Sequence, residues 1–330
     1  MSNLSDIARL AGVSVSTVSR SLHHDNRISD ETLKRVLDAA RSVGYTKHMQ
    51  KASPFSQEYR CLGLIIPEVL SGYYSRLVHL VVESFAEHGY DVAIRLTNFD
   101  NGAILKQIYG LCASNVDCLL IVADDSEEVS DDIFSAVSTL KIPSFFITAN
   151  YIPNNDFDSL YIDEVRGISM MIDYLAQKGY ERIGFVGDMH TLARKDVYLD
   201  SLSNINLPAI DDFVKISSIR AEPGGYHAMC EILAGNEKPD AVFFGYDQMA
   251  IGALKAIREA GLSVPGDIAV ASFDDIILSE FVDNGLTTVQ SPCEEMVSIA
   301  TRVLLSRIND ESAAPQQIAL KPRLVIRGTA

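Results

Sequence analysis

Residues 6–22 read DIARLAGVSVSTVSRSL. Leu4, Ile7, Ala8 and Ala11 recur at helical spacing, which predicts a helix from about Leu4 to Ala11. Gly12 suits the left-handed turn that ends a helix, and Ser14 is placed to cap a second one from Val15 to about Leu22. Ser29 is placed to cap a third, with Asp30 and Glu31 in its first turn. Leu33, Val36, Leu37 and Ala40 give that helix a buried stripe, and Gly44 ends it. Two short helices joined by a tight glycine turn make a helix-turn-helix, whose second helix enters the DNA major groove with its first residues at the base edges. Small residues at Val15, Ser16, Thr17 and Ser19 let that helix approach closely, hydroxyls can bond phosphates, and Arg20 can reach a guanine or a phosphate. Ser5 and Ser14 belong to the same candidate DNA surface. A small helical cap with no DNA role also fits the bare three-helix pattern.

Working outward, the charge is uneven. The chain has 330 residues and a net charge of −16, yet residues 1–60 hold nine Lys and Arg against six Asp and Glu. A basic head on an acidic body suggests that only the head approaches a polyanion. The composition, 47% hydrophobic and 22% charged, is globular and long enough for more than one domain. No apolar run is long enough for a membrane span, and the N-terminus has no basic-then-apolar signal pattern, so a cytoplasmic protein is expected. Cys61, Cys112, Cys118, Cys230 and Cys293 are scattered without a CxxC, which reads as buried free thiols with neither a disulfide framework nor a metal site.

From Leu62 onward the pattern alternates. Apolar strand runs such as CLGLIIPEV, VDCLLIVAD and PDAVFFGYD are separated by helical stretches such as YYSRLVHLVVESFAEHGY and QMAIGALKAIREAGL. Such alternation predicts parallel α/β sheets, here too long for one small sheet and so read as two lobes. Ligands in these folds bind at the carboxyl ends of strands. Those ends carry Asn150, Asp188, Asp247 and the pair Asp274–Asp275. Asp275 reads best as a helix cap.

The signature DIA…AGVS..TVSR in LSDIARLAGVSVSTVSRSL resembles the N-terminus of the lactose/galactose repressor family of bacterial transcription regulators. The body resembles the same family in ERIGFVG, DQMAIGALKAIREAGLSVPGDIAVASFDD and LTTV, so the similarity covers nearly the whole chain. It implies an all-α helix-turn-helix head over residues 1–45, a hinge or linker over 46–60, and a two-lobed, periplasmic-binding-protein-like effector and dimerisation domain over 61–330. Lobe one is expected at about 61–160 and 291–320, lobe two at about 161–290 and 321–330, with three crossovers and the effector between the lobes. The implied DNA readers are Val15 and Ser16, with Arg20 beside them. His23 replaces an Asn usual in the family and adds one candidate DNA contact, although His23 and His24 also fit two solvated loop residues.

On the same resemblance, Asp274 is the acid that accepts hydrogen bonds from effector hydroxyls, and Arg194 binds the effector beside it. Asn150 sits at a polar effector position, and Tyr73 and Tyr74 sit where ring-stacking aromatics occur. Tyr246 departs from the small polar residue found in many sugar-responsive relatives. A carboxylate with an arginine suits vicinal hydroxyls, and an aromatic face suits the apolar side of a sugar ring. From the residues alone, Arg194 fits equally a surface pair with Asp196 or Asp200, and Tyr73 and Tyr74 fit helix-start packing.

The linker TKHMQKASPFSQEYR carries Pro54 where the family has a hinge leucine. Proline disfavours a helical residue before it and lacks a donor, so the usual hinge cannot run through this point. Two readings stay open: Ser53 caps a shifted helix with Phe55 as an apolar wedge into DNA, or the segment is irregular. No GxSxG, GxGxxG, P-loop or HExxH pattern points to catalysis, although two carboxylates across a cleft would suit a sugar-processing enzyme. The expected protein is a dimeric repressor that binds double-stranded operator DNA, needs no cofactor and answers to a sugar-like effector, with a purine or sugar phosphate as the alternative. No leucine heptads follow KPRLVIRGTA, so a tetramerising coiled coil is not expected.

Overall fold

The structure is a computed structural model that describes residues 4–22, 60–123, 129–149, 156–309 and 314–330, with Thr32, Arg35, Val36, Ala39 and Tyr151 besides. The chain divides into two compact units, residues 1–60 and 61–330.

In the first unit, helices run over Leu4–Ala11 and Val15–Leu22. Gly12 takes φ +64° between them, and Ser14 Oγ accepts from the Thr17 amide at 3.1 Å, so the turn and the cap act as their residue types dictate. Ile7, Ala8, Ala11 and Val18 bury together with Val36 and Ala39 of the following helical segment. Leu33, Leu37, Ala40, His23, Phe55 and both hinge readings around Pro54 lie outside the described residues.

The second unit is built on two six-stranded sheets. The first has the order β11-β5-β4-β3-β1-β2, from β1 (Arg60–Ile66), β2 (Tyr90–Leu96), β3 (Cys118–Val122), β4 (Ser144–Thr148), β5 (Asp158–Ile162) and β11 (Gln317–Leu320). The second has the order β12-β10-β9-β8-β6-β7, from β6 (Ile183–Asp188), β7 (Val214–Ser217), β8 (Ala241–Phe244), β9 (Ala269–Asp274), β10 (Thr287–Gln290) and β12 (Arg323–Val325). β3 and β4 are buried along their whole length, as strands covered on both faces must be. The pairings from β1 through β3, β4 and β5 to β11 are parallel, as are those from β7 through β6, β8 and β9 to β10; β12 closes its sheet antiparallel to β10.

The chain passes between sheets three times: after β5, after β10 and after β11. β5 continues to Ile162, and Asp163 caps helix Glu164–Gln177 by accepting from the Arg166 amide at 3.0 Å. The first crossing therefore begins at Asp163, directly after β5 ends at Ile162. Helix Cys293–Asn309 returns to pack on the first sheet, burying Met296, Val297, Ala300 and Leu304 beside Leu77 and Phe85.

Two glycines set the tightest approach. A Cβ on Gly225 would lie 1.9 Å from the Met249 carbonyl oxygen, and one on Gly252 would lie 1.9 Å from that of Glu222. Helices Ala221–Leu233 and Asp247–Glu259 thus meet backbone to backbone. That packing fixes the residues at their N-terminal ends, Arg220 and Tyr246, which border the cleft between the sheets.

None of the five cysteines forms a disulfide; Cys61, Cys118 and Cys293 are buried, whereas Cys112 and Cys230 are only half-buried. Burial pushes the Cys293 thiol up to about 12. No described helix is long and apolar enough to cross a membrane, and no group of three His, Cys, Asp or Glu among the described residues could hold a metal ion.

Candidate functional site

A cavity lies between the carboxyl ends of the two sheets. From the first sheet's lobe it is lined by Ser71, Tyr73, Tyr74, Phe99, Thr148 and Ala149; from the second's by Glu164, His190, Thr191, Arg194, Arg220, Tyr246 and Asp274. Asn150, next to Ala149, lies outside the described residues.

Asp274 is the last residue of β9 and only 8% exposed. It takes φ +112° and Asp275 takes +56°, a left-handed pair without glycine. Such conformations cost about 1–3 kcal/mol each and collect at functional sites. Burial raises the Asp274 carboxyl well above the ordinary range, and the nearby Arg194 guanidinium opposes the rise. The two charges are 3.7 Å apart.

Arg194 stands in the first turn of helix Leu192–Asn204. Its Nε donates to Glu164 Oε2 at 2.9 Å, its Nη2 to Glu164 Oε1 at 2.5 Å, and its Nη1 to the Gly245 carbonyl at 2.7 Å. The guanidinium also lies 4.3 Å from the Phe273 ring centre. The surface pairing of Arg194 with Asp196 or Asp200 is therefore overturned: Asp196 meets Lys195 instead, and Arg194 points inward. Glu164, the first residue of its helix, went unseen in the sequence because its partner is 30 residues away.

Tyr73 and Tyr74 open helix Gly72–Ala86, which Ser71 caps by accepting from the Tyr74 amide at 3.2 Å. Their rings meet edge to face at 5.1 Å, so they pack at a helix start and line the cavity at once. Burial raises the Tyr73 phenol well above its usual value. The Tyr246 hydroxyl donates to Asp188 Oδ2 at 2.7 Å and accepts from the Ala221 amide at 2.8 Å. Burial and the Asp188 charge raise its phenol, and its hydroxyl is engaged within the protein.

The cavity is closed by contacts between the lobes that sequence reading missed. Arg220 Nη2 donates across to Glu68 Oε1 at 3.2 Å, while within its own lobe Arg220 Nη1 lies 3.5 Å from Asp188 without a hydrogen bond. The Phe99 ring lies 4.0 Å from the Arg220 guanidinium and 4.3 Å from the His190 ring. Gln248 Oε1 accepts from the Gly72 amide at 3.3 Å, and Arg76 donates to the Asp275 carbonyl at 3.3 Å.

Two acids at strand ends have other duties. Asp275 accepts from Gln290 Nε2 at 2.8 Å and pairs with Arg327 at 2.8 Å, while Ile276 occupies the cap of the turn Ile277–Glu280. The helix-cap reading of Asp275 is therefore incorrect, because partners from β10 and the C-terminal segment claim its carboxylate. Asp247 faces away from the cavity and is fully buried, accepting from the Ser272, Ser279 and Thr288 hydroxyls and the Ile276 amide.

On the head, Val15, Ser16 and Arg20 are exposed along helix Val15–Leu22, with Thr17 and Ser19 half-buried and Ser14 and Ser5 exposed nearby. Ser16 and Arg20, four residues apart, share one face. Val18 and Ser21 turn inward.

Comparison with known proteins gives the chain its family. Residues 3–48 match the model described as "Bacterial regulatory proteins, lacI family", and residues 172–330 match "Periplasmic binding protein-like domain". The ribose operon repressor of Escherichia coli (strain K12) is 30% identical over 335 residues, covering 100% of both chains. This chain belongs to the lacI family. As a lacI-family member it is a sequence-specific DNA-binding transcription regulator. It is also 28% identical over 332 residues to the HTH-type transcriptional repressor PurR of Mannheimia succiniciproducens, covering 99% of this chain and 98% of that one. Its fold matches that of a lacI-family transcriptional regulator from Silicibacter pomeroyi, with a TM-score of 0.76, 22% identity, and 100% and 99% coverage.

Proposed function

We propose that this lacI-family regulator is a homodimeric repressor of carbohydrate genes, switched by a neutral sugar in the cleft between its lobes. The observation that carries this reading is Asp274. Its carboxylate is nine-tenths buried, lines the cavity, and accepts no hydrogen bond from any described residue. A buried acceptor in that condition is stabilised by a ligand that brings donors, as sugar hydroxyls do. Tyr73, Tyr74 and Phe99 supply ring faces for the apolar side of such a ligand. The ribose operon repressor, similar along the whole chain, supports the carbohydrate reading.

The route from cleft to DNA runs through the dimer. The turn Ile277–Glu280 follows Asp274 and Asp275 directly, and it exposes Ile277 (71%) and Leu278 beside Phe281 (73%). Exposed apolar residues so grouped mark a protein contact, and a second copy is the occupant this reading assigns. A ligand that pulls on Asp274 then shifts the dimer contact and the spacing of the two heads, provided it binds the two arrangements unequally. Ser5, Ser14, Val15, Ser16, Thr17, Ser19 and Arg20 form the DNA face. The chemistry is binding without turnover, in the cytoplasm.

Thermal unfolding of the protein against a panel of neutral sugars, sugar phosphates and nucleobases tests the cleft. A neutral sugar at 100 times its dissociation constant is expected to add about 2.7 kcal/mol of stability, and Asp274→Ala is expected to abolish the shift. A panel in which no sugar moves the unfolding temperature, or one whose effect survives Asp274→Ala, would overturn the assignment.

A further inference from the structure

Among the described residues the cleft is lined by two guanidiniums, and carboxylates stand beside both. Arg194 gives Nε and Nη2 to Glu164 and Nη1 to the Gly245 carbonyl, with Asp274 at 3.7 Å. Arg220 meets Glu68 at 3.2 Å and Asp188 at 3.5 Å, with its flat face on Phe99. Four carboxylates thus stand against two arginines. The balance stays negative even when Asp274, whose pKa burial raises, is counted as neutral.

Glu164 controls this balance at the cavity wall. It lies at the first position of helix Glu164–Gln177, where the helix dipole favours a carboxylate. Its side chain and that of Arg194 are only 14% and 13% exposed, so solvent screens the pair weakly. The contact is two-pronged, the geometry in which arginine otherwise binds phosphate or carboxylate ligands.

We propose that Glu164 is the charge filter of the cleft: it occupies the Arg194 fork as a built-in anion, excludes phosphorylated and carboxylated effectors, and restricts the site to neutral or cationic ligands rich in hydroxyl or amine donors. The inference rests on the cleft being the effector site. It goes further by naming the residue that sets the ligand's charge class. An anion entering the cleft meets Asp274 and Glu164, while the Arg194 fork is filled by Glu164; Arg220 Nη1 makes no hydrogen bond, but it already faces Asp188 at 3.5 Å. A hydroxyl or ammonium donor meets the Asp274 carboxylate directly.

The test uses inorganic phosphate and needs no knowledge of the natural effector. The full-length protein, Glu164→Gln, and Glu164→Gln combined with Arg194→Met are unfolded thermally over a phosphate series, against chloride of equal ionic strength. All three keep the same head, so any phosphate bound there cancels. The wild type and the double variant are expected to respond alike. Glu164→Gln alone is expected to show an added, saturable rise, equivalent to phosphate binding about tenfold tighter or more. If Glu164→Gln does not fold, Glu164→Ala carries the same expectation. The proposal is overturned if phosphate stabilises the wild type in a manner lost with Arg194→Met, or if removing the Glu164 charge gains nothing. A sugar panel without effect would remove the effector reading and leave the phosphate result standing, so the two failures are distinct.

Discussion

Asp247→Ala is expected to cost about 3–5 kcal/mol, a large part of the stability of a domain of this kind. Asp247 is fully buried at the start of helix Asp247–Glu259. It accepts from Ser272 on β9 at 2.5 Å, Thr288 on β10 at 2.6 Å, and Ser279 and the Ile276 amide in the turn after β9 at 2.6 and 2.8 Å. Truncation strands all four donors in an interior that water does not reach, and each stranded group costs about 1–3 kcal/mol before relaxation. Asp247→Asn keeps the shape and is expected to lose less, because hydroxyls can turn to donate or accept. Urea unfolding measures both, and a loss under 1 kcal/mol for Asp247→Ala would contradict this account. The knot also ties Asp274, through Ile276, to the exposed turn at 277–281. Destabilising it is therefore expected to blunt the effector response in whatever protein remains folded.

The second large effect is on DNA. Arg20→Ala and Ser16→Ala are each expected to weaken binding to a preferred duplex sharply, without changing the helical content of the head. Both side chains are exposed on the second helix, so their removal disturbs no packing. A well-made base contact is worth about 1–3 kcal/mol, and the homodimer proposed above contains each residue twice. The expected loss for Arg20→Ala is accordingly about 2–6 kcal/mol, or at least about 30-fold in affinity. Selection from random double-stranded DNA supplies the duplex, and fluorescence anisotropy supplies the affinities. Val18→Ala is the contrasting control: Val18 is buried against Ile7 and Val36, so its loss is expected to unfold the head instead. Losses below threefold for both Arg20→Ala and Ser16→Ala would refute the assignment of this face.

What could be read before folding was local. The Gly12 turn, the Ser14 cap and the two head helices rest on contacts within four residues, and the structure places them as their residue types require. The alternation of strands and helices located the cleft, because ligand sites in such sheets lie beyond the strands' carboxyl ends. Which way each strand-end acid points was not legible. Asp274 faces the cavity, Asp247 turns inward to three hydroxyls, and Asp275 is taken by Gln290 and Arg327. All three follow apolar strand runs, and only partners brought from other strands separate them. The Arg194–Glu164 fork and the Arg220–Glu68 clasp join residues 30 and 152 positions apart. Their signal lies in the tertiary fold alone, and the same holds for Phe99, whose left-handed backbone (φ +63°) turns up in a loop with no glycine to announce it.

The central claim is that one cleft controls one DNA-reading face. The most direct measurement is the affinity of the protein for its selected duplex with and without a saturating sugar that raises its unfolding temperature, repeated with Asp274→Ala. The sugar is expected to change wild-type affinity by about 5- to 150-fold, the usual range of coupling between sites, while Asp274→Ala binds the duplex and ignores the sugar. Equal DNA affinity with and without a ligand known to occupy the cleft would contradict the claim.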